Sequence, residues 1–269
     1  MNKKDSLGDR MKTYENASRN YLMRRTPVII RLDGKAFHSF TKGFQKQFDM
    51  LLMRSMWETS QELCSKIQGC KIGYTQSDEI SLLLTDYESI DTCAWFDNGI
   101  QKMVSVSASM ATLAFNDAFA NFVNEEYNNI IEAPISCDAD IKEIDRLFDN
   151  YFNKINTALF DSRVFTLPKE EVCNYFIWRQ QDATRNAIQM VGQSNFSHKQ
   201  LNKKSCNDIQ EMLFQEKGIN FNDFPVYQKR GACIVKEKYT KGDAERTRWI
   251  VDKDIPIFTQ DRDYIEKFV

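Results

Sequence analysis

Two aspartates stand where an apolar strand-like segment gives way to a turn. Asp33 follows the apolar run 28–32 and precedes Gly34, while Asp78 lies in a turn and precedes Glu79. If the two strands are neighbours, both carboxylates meet at one edge of a sheet and repel each other unless cations lie between them. Mg²⁺ prefers such oxygens and leaves room for substrate phosphates. Two such ions about 3.5–4 Å apart can activate an attacking hydroxyl and stabilise a leaving pyrophosphate.

Gly34 adds a possible third ligand, because a glycine lets a backbone carbonyl approach an ion closely. Asp33-Gly34 and Ser77-Asp78 are also ordinary turn sequences. Their spacing alone therefore leaves a purely structural role open.

The loop after Asp33 carries Lys35, His38 and Lys46. Positive side chains beside a metal site can bind a triphosphate. The loop lacks the GxxxxGKS/T pattern, so it is not a Walker-type P-loop. Phe37 is expected to pack into the protein more readily than to stack on a base.

The surrounding elements must form a sheet and the helices that cover it. Apolar side chains recurring at threes and fours indicate helices, and β-branched or alternating runs indicate strands. The patterns predict strands at 28–32, 71–74, 79–84 and 162–167, helices at 49–67, 100–122 and 169–193, and a terminal hairpin of 231–235 with 247–251. A hairpin of 71–74 with 79–84 would place Asp78 in its turn. This order predicts an α+β fold.

Composition narrows the class of protein. Apolar residues make up 42% and charged residues 28% of the 269 residues. No stretch approaches the roughly 20 apolar residues of a membrane span, and the start of the chain lacks the apolar core of a signal peptide. We therefore expect a cytoplasmic protein without a membrane partner. The net charge is −2, but bases gather at 199–204 and 229–248, where a phosphate backbone could bind.

The seven cysteines are scattered without a CxxC pair. A thiolate zinc site needs about four clustered ligands, so free, mostly buried thiols are expected instead.

Four motifs in the same order resemble those of the tRNA-histidine guanylyltransferase family. Residues 31–40 resemble its RxDGxxFHxF signature, and residues 73–81 resemble its G(x)QSDEYS motif. Residues 160–164 are similar to its FDGRV segment, and residues 174–182 to its DYLxWRQxD helix. Residues 225–231 also resemble a family segment. The set spans about residues 10 to 195 and is far more specific than any one motif.

The resemblance implies a palm-like catalytic domain, an antiparallel sheet backed by helices as in polymerases and nucleotide cyclases, over 1–195. Residues 196–269 would form a C-terminal extension that ends in a hairpin and packs on the same unit. A tRNA 5′ end is activated by adenylylation from ATP, or already carries a triphosphate, and the 3′-hydroxyl of an incoming nucleotide attacks it. The implied cofactor is two Mg²⁺ ions per active site. The implied partners are tRNA, ATP, GTP and other nucleoside triphosphates, and the implied assembly is a homotetramer.

Individual roles carry over onto the matching positions. The resemblance makes Asp33 and Asp78 the metal carboxylates and catalytic residues, gives Gly34 a carbonyl ligand, and makes Glu79 an adjoining catalytic acid in a supporting role. The residues implied to bind nucleotide are Asp33, Gly34, Lys35, Ala36, Phe37, His38, Lys46, Ser77, Asp78 and Lys102.

One departure bears on substrate choice. The guanylyltransferases carry HINxxY after the WRQxD helix, whereas this chain has Thr184-Arg185-Asn186-Ala187-Ile188-Gln189 and keeps only the asparagine. The bacterial and archaeal guanylyltransferase-like proteins share this departure. The resemblance therefore favours template-dependent 3′–5′ addition that repairs 5′-truncated tRNA.

Three alternatives stay open. The chain could add the extra 5′ guanosine to histidine tRNA, or it could be a palm-fold nucleotide cyclase acting on a lone triphosphate. It could also be a catalytically silent RNA-binding module, although such a module has no need of Asp33, Asp78 and Glu79.

Overall fold

The computed structural model describes residues 6–132, 141–242 and 244–269. Within them, one antiparallel six-stranded sheet has the strand order β4-β1-β3-β2-β5-β6. The strands are β1 (Val28–Gly34), β2 (Cys70–Gln76), β3 (Glu79–Leu84), β4 (Phe160–Thr166), β5 (Ala232–Lys241) and β6 (Ala244–Asp252). Helices cover the sheet, so the predicted α+β fold with a palm-like antiparallel sheet is confirmed.

The described part of the chain contains both predicted and unpredicted helices. Its α-helices are α1 (Ser6–Ala17), α2 (Phe37–Phe40), α3 (Met50–Lys66), α4 (Ile100–Glu132), α5 (Ile141–Phe152), α6 (Lys169–Asn195), α7 (His198–Leu201), α8 (Cys206–Lys217), α9 (Val226–Arg230) and α10 (Asp263–Glu266). The predicted helices correspond to α3, α4 and α6. Helix α1 was not predicted. Its apolar residues Leu7, Met11 and Tyr14 recur at helical spacing, but all three are exposed and none is buried in the core.

Two helical layers sandwich the sheet. Alternate residues of β1 point to opposite faces, so Ile30 joins the core beneath α3 and α4 while Ile29 joins the core beneath α6. Both side chains are fully buried. This alternation fixes which face of the sheet each functional side chain of β1 occupies.

The C-terminal segment adds to this sheet. Strand β5 pairs with β2 through Ala232–Ile234 only, and beyond that point β5 pairs with β6 alone. The end of α6 packs with α8 in a separate apolar cluster that includes Val191 and Leu213. The division into 1–195 and 196–269 stays a prediction.

Two further features are the character of the helices and the state of the cysteines. Among the described helices, none combines the length and the apolar character that crossing a bilayer requires. The described cysteines are all free, and four of them are buried: Cys64, Cys70, Cys173 and Cys233. Cys137 lies outside the described residues.

Candidate active site

The ends of β1 and β3 bring the two aspartates together. The strands are antiparallel neighbours, with Asp33 directly opposite Glu79, which follows Asp78. The Gly34 N–H donates to the backbone oxygen of Asp78 over 3.0 Å. The condition set by the sequence, that the two strands are neighbours, is therefore met.

The Asp78 carboxyl lies in an environment that disfavours its negative charge. Burial raises its pKa most, and the charges of Asp33 and Glu79 raise it further, against hydrogen bonds that include one from the Ser77 hydroxyl. Ser77 adopts a left-handed φ of +50°, and its Oγ lies 3.0 Å from Asp78 Oδ1. Negative charge is thus concentrated at the turn, and a divalent cation would relieve it.

The carboxylates of Asp33 and Asp78 fit Mg²⁺, but a complete site would also need oxygen ligands that are not side chains. In the described parts of the chain, no three His, Cys, Asp or Glu side chains are grouped to hold a metal ion. Ions here would depend on Asp33, Asp78, the Gly34 carbonyl, water and substrate phosphates. Mg²⁺ sites commonly combine one or two carboxylates with water and phosphate oxygens.

Glu79 has different partners from the two aspartates. Its carboxylate accepts from Arg31 at 2.6 Å and from Arg179 Nη1 at 2.8 and 3.1 Å. The Glu79 and Arg179 side chains are almost fully buried. Glu79 is therefore bound by two guanidinium groups, and its supporting catalytic role stays a prediction.

The segment after Asp33 is shaped by one packed aromatic ring. A Cβ on Gly34 would lie 2.3 Å from the Phe37 ring, so any other residue there would displace it. Phe37 is buried and stacks on Phe40 at 4.8 Å between ring centroids. Any contact of Phe37 with a nucleotide would come from its backbone. Ala36 adopts a left-handed φ of +55° and begins the short α2.

The flanking polar side chains of this segment are solvent-accessible. Lys35 and His38 are both exposed, and the Lys35 N–H donates to the Leu159 carbonyl over 2.8 Å. They lie in the segment that follows Asp33 directly and are available to a ligand. Their assignment to nucleotide stays a prediction.

A cleft of about 440 Å³ opens beside the Asp78 turn. Its walls come from the loop 41–49, α3, the end of β2 with the β2–β3 turn, the second half of α6, and α9. Lys46 and Ser77 both line it, together with Trp57, Asn186 and Tyr227. Clefts of roughly 300–1,000 Å³ with apolar walls and a few polar groups are typical small-molecule sites. The structure thus brings two predicted nucleotide residues, Lys46 and Ser77, to one cavity.

Asp49 anchors the loop that carries Lys46. Its carboxylate caps α3 by accepting from the Leu52 N–H at 2.9 Å, and it also accepts from the Gln45 N–H at 3.1 Å. The hydroxyl of Tyr151 donates to the same carboxylate at 2.6 Å. Sequence reasoning missed Asp49, whose cap position was the only local signal.

Lys102 lies apart from this group. It occupies the first turn of α4, where its Nζ sits 5.6 Å from the centre of the Phe96 ring. Thr112, whose hydroxyl accepts from the Phe160 N–H beside Gly34, lies roughly 15 Å further along the helix. The described contacts therefore do not join Lys102 to the Asp33–Asp78 edge, and its nucleotide role stays a prediction.

Comparison with known proteins finds relatives of this chain. The model of the family described as tRNAHis guanylyltransferase matches residues 8–168. A solved bacterial tRNA(His) guanylyltransferase-like protein in complex with ATP is 48% identical, with a TM-score of 0.80, covering 98% of this chain and 99% of that chain. The corresponding structure in complex with GTP is 45% identical, with the same coverage and a TM-score of 0.76.

A more distant relative has a named activity. The tRNA(His) guanylyltransferase of Debaryomyces hansenii is 28% identical over 236 residues, which is 82% of this chain and 78% of the yeast protein. The family model covers the Asp33–Asp78 edge, and the two solved structures cover 98% of the chain. The chain belongs to the tRNAHis guanylyltransferase family, a family of nucleotidyltransferases.

Proposed function

We propose that the protein adds nucleotides to the 5′ end of tRNA in a template-dependent 3′–5′ reaction that repairs truncated 5′ ends. The observation that carries this proposal is the placing of Asp33 and Asp78 at one sheet edge beside the cleft lined by Lys46 and Ser77. The solved relatives in complex with ATP and GTP support the nucleotide part.

In this proposal the chain's own residues bind and orient the reactants. Asp33, Asp78 and the Gly34 carbonyl would hold two Mg²⁺ ions. Bound there, the ions would supply activation of a hydroxyl and stabilisation of a leaving pyrophosphate. Lys46 would attract the polyphosphate as a point charge. The 3′ oxygen of the incoming nucleotide bonds to the 5′ phosphorus, pyrophosphate or AMP leaves, and the hydroxyl proton passes to solvent.

The altered HINxxY segment favours selection by a template. The Thr184 hydroxyl donates to the Gln180 carbonyl of its own helix over 3.0 Å, and Gln189 is exposed. Neither side chain shares a proton near neutral pH as a histidine does, and neither offers an aromatic face. Base pairing with the intact 3′ strand of the acceptor stem is then the remaining source of selectivity.

The deciding experiment supplies 5′-truncated tRNAs with each of the four bases opposite the gap, together with Mg²⁺ and all four nucleotides. We expect the complementary nucleotide to be incorporated in each case. Incorporation of guanosine alone, whatever the opposing base, would overturn the template-directed reading. The protein would then be a histidine-tRNA guanylyltransferase, the function that the yeast relative's name favours. Conversion of labelled GTP or ATP to a cyclic product without RNA would identify a cyclase instead.

Replacing Lys46 by alanine should raise the apparent KM for nucleotide about tenfold with little change in stability. The side chain is exposed and lines the cleft, so it contributes charge to the ligand and little to the core. Steady-state kinetics at saturating tRNA measure the effect. Lys42→Ala is the matched control, because Lys42 is exposed in the same loop but does not line the cleft. An unchanged nucleotide KM in K46A would remove Lys46 from the site.

We further propose a homotetramer of the 31.5 kDa chain, located in the cytoplasm, with residues 1–195 forming the catalytic domain and residues 196–269 an extension packed on it. Light scattering coupled to size-exclusion chromatography tests the assembly. A mass near that of one or two chains at micromolar concentration would contradict the tetramer.

A further inference from the structure

Trp178 on α6 is a half-exposed aromatic residue with a cation packed on its ring. Its relative exposure is 51%. The guanidinium carbon of Arg179 lies 3.7 Å from the ring centroid, and that of Arg31 lies 5.6 Å away. Tyr175 meets the ring edge-on at 6.0 Å. A single exposed aromatic ring is common on protein surfaces. Trp178 also has two guanidinium groups against its ring, and this contact sets it apart from a ring that is merely exposed.

The ring is held in place by its neighbours. Arg179 is 3% exposed, and Glu79 fixes its guanidinium with the two hydrogen bonds already described. Arg31 is bound to the same carboxylate. The surface that supports Trp178 is therefore already ordered before any ligand arrives. A rigid ring loses little conformational entropy on binding, which favours its use as a contact.

Trp178 lies on the same face of the sheet as Asp33. Arg31 and Asp33 alternate with Leu32 along β1 and so point to the face that α6 covers. Their antiparallel partners on β4 are Arg163 and Asp161, which share that face. Arg163 is about half exposed. The exposed ring of Trp178 and the half-exposed Arg163 thus lie on the same face of the sheet as Asp33.

We propose that Trp178 is a stacking platform for the 5′-terminal base of the RNA substrate, with Arg163 contacting the adjoining phosphate. The inference rests on the proposed function, because it requires an RNA 5′ end at Asp33. Aromatic rings stack on any base, and this is how single-stranded nucleic acid is held without sequence preference. The 5′-terminal base of a truncated acceptor stem of any sequence could stack there in the complex without nucleotide, until the incoming nucleotide takes the place of the ring on that base.

The incoming nucleotide is the less suitable occupant. Trp178 is not among the residues that line the cleft. The residues of α6 that do line it, from Ala183 to Met190, lie about one to three turns further along the helix. The nucleotide therefore has a cavity of its own, and the Trp178 face is left for the second reactant.

A double-mutant cycle on binding tests the platform. Wild type and Trp178→Ala are titrated, without nucleotides, with a 5′-truncated tRNA and with the same tRNA carrying an abasic 5′-terminal residue. Because stacking contributes about 1–3 kcal/mol per base, we expect W178A to weaken binding of the intact RNA about tenfold. The abasic residue should weaken wild-type binding similarly and weaken W178A binding less than about twofold. Losses that multiply in the double change would overturn the proposal.

Further variants separate the remaining explanations. Trp178→Phe keeps an aromatic face and should retain most of the affinity. Phe214→Ala, which truncates a similarly exposed ring on α8, should bind RNA as wild type does. A higher nucleotide KM in W178A with unchanged RNA affinity would assign the ring to the nucleotide, and a changed oligomer mass would assign it to a subunit contact. Either result overturns the platform.

The outcomes also distinguish this inference from the proposed function. If wild type extends tRNA while W178A binds it normally, only this inference fails. If wild type neither binds nor extends tRNA, the proposed function fails.

Discussion

Replacing Asp78 by alanine is expected to slow 5′ nucleotide addition by about three orders of magnitude while leaving the fold intact. Metal ions stabilise transition states by several kcal/mol, and each 1.4 kcal/mol corresponds to about tenfold in rate. With Asp78 gone, Asp33 would be the remaining one of the two proposed metal carboxylates for two ions. Asp33→Ala should cause a loss of similar size for the same reason.

Stability should change little in the same variant. Burial and the neighbouring charges raise the pKa of the Asp78 carboxyl, which means that the folded state disfavours its ionised form. A group with a raised acid pKa gives no folding stability through its negative charge near neutral pH. Removing the carboxyl therefore takes away ligand oxygens and, on the stability side, only the hydrogen bond from the Ser77 hydroxyl, which lies at the surface.

The measurement is single-turnover extension of a 5′-triphosphorylated tRNA, alongside a urea unfolding curve. Asp78→Asn tests the charge at nearly constant shape and should be as inactive as D78A. Asp117→Ala is the control, because Asp117 is exposed on α4. A D78A protein that keeps more than about a tenth of the wild-type rate would remove Asp78 from the metal site.

The sequence predicted the part of the site that depends on local patterns. The apolar run 28–32 and the turn before Glu79 mark two strands, and their pairing places Asp33 and Asp78 at one edge. Register in a buried sheet is fixed by which residues face the core. These local patterns were enough to predict the two strands, whereas the pairing of the strands was only a condition of the metal hypothesis and is given by the structure.

The rest of the site depends on contacts between distant segments. The cleft joins Trp57 of α3, Asn186 of α6 and Tyr227 of α9, and no spacing in one segment indicates such a meeting. Arg179 reaches Glu79 across a hundred residues of chain. The sequence shows both residues inside recognisable motifs, but it does not show that each is the other's buried partner.

That buried pair leads to a second large effect, on stability. Glu79→Ala is expected to lower the free energy of unfolding by about 3–5 kcal/mol, the usual cost of breaking a buried ion pair by removing one partner. Arg179 is 3% exposed and Glu79 is 6% exposed, so the orphaned guanidinium cannot recover its hydration without local unfolding. Arg31, 2.6 Å from the same carboxylate, would add like-charge repulsion.

Urea unfolding at fixed protomer concentration measures this change, since oligomer stability depends on concentration. A lower midpoint at constant slope reports lost stability rather than a changed unfolded state. Glu237→Ala is the matched control. Glu237 pairs with Arg248 at 2.6 Å, but both side chains are exposed, and exposed pairs contribute only about 0–1 kcal/mol.

If E79A and E237A lose the same amount of unfolding free energy, the Glu79–Arg179 pair does not hold α6 to the sheet. If E79A alone is destabilised, its low activity near or above the new urea midpoint is a folding effect, and only the rate measured well below that urea concentration reports on catalysis.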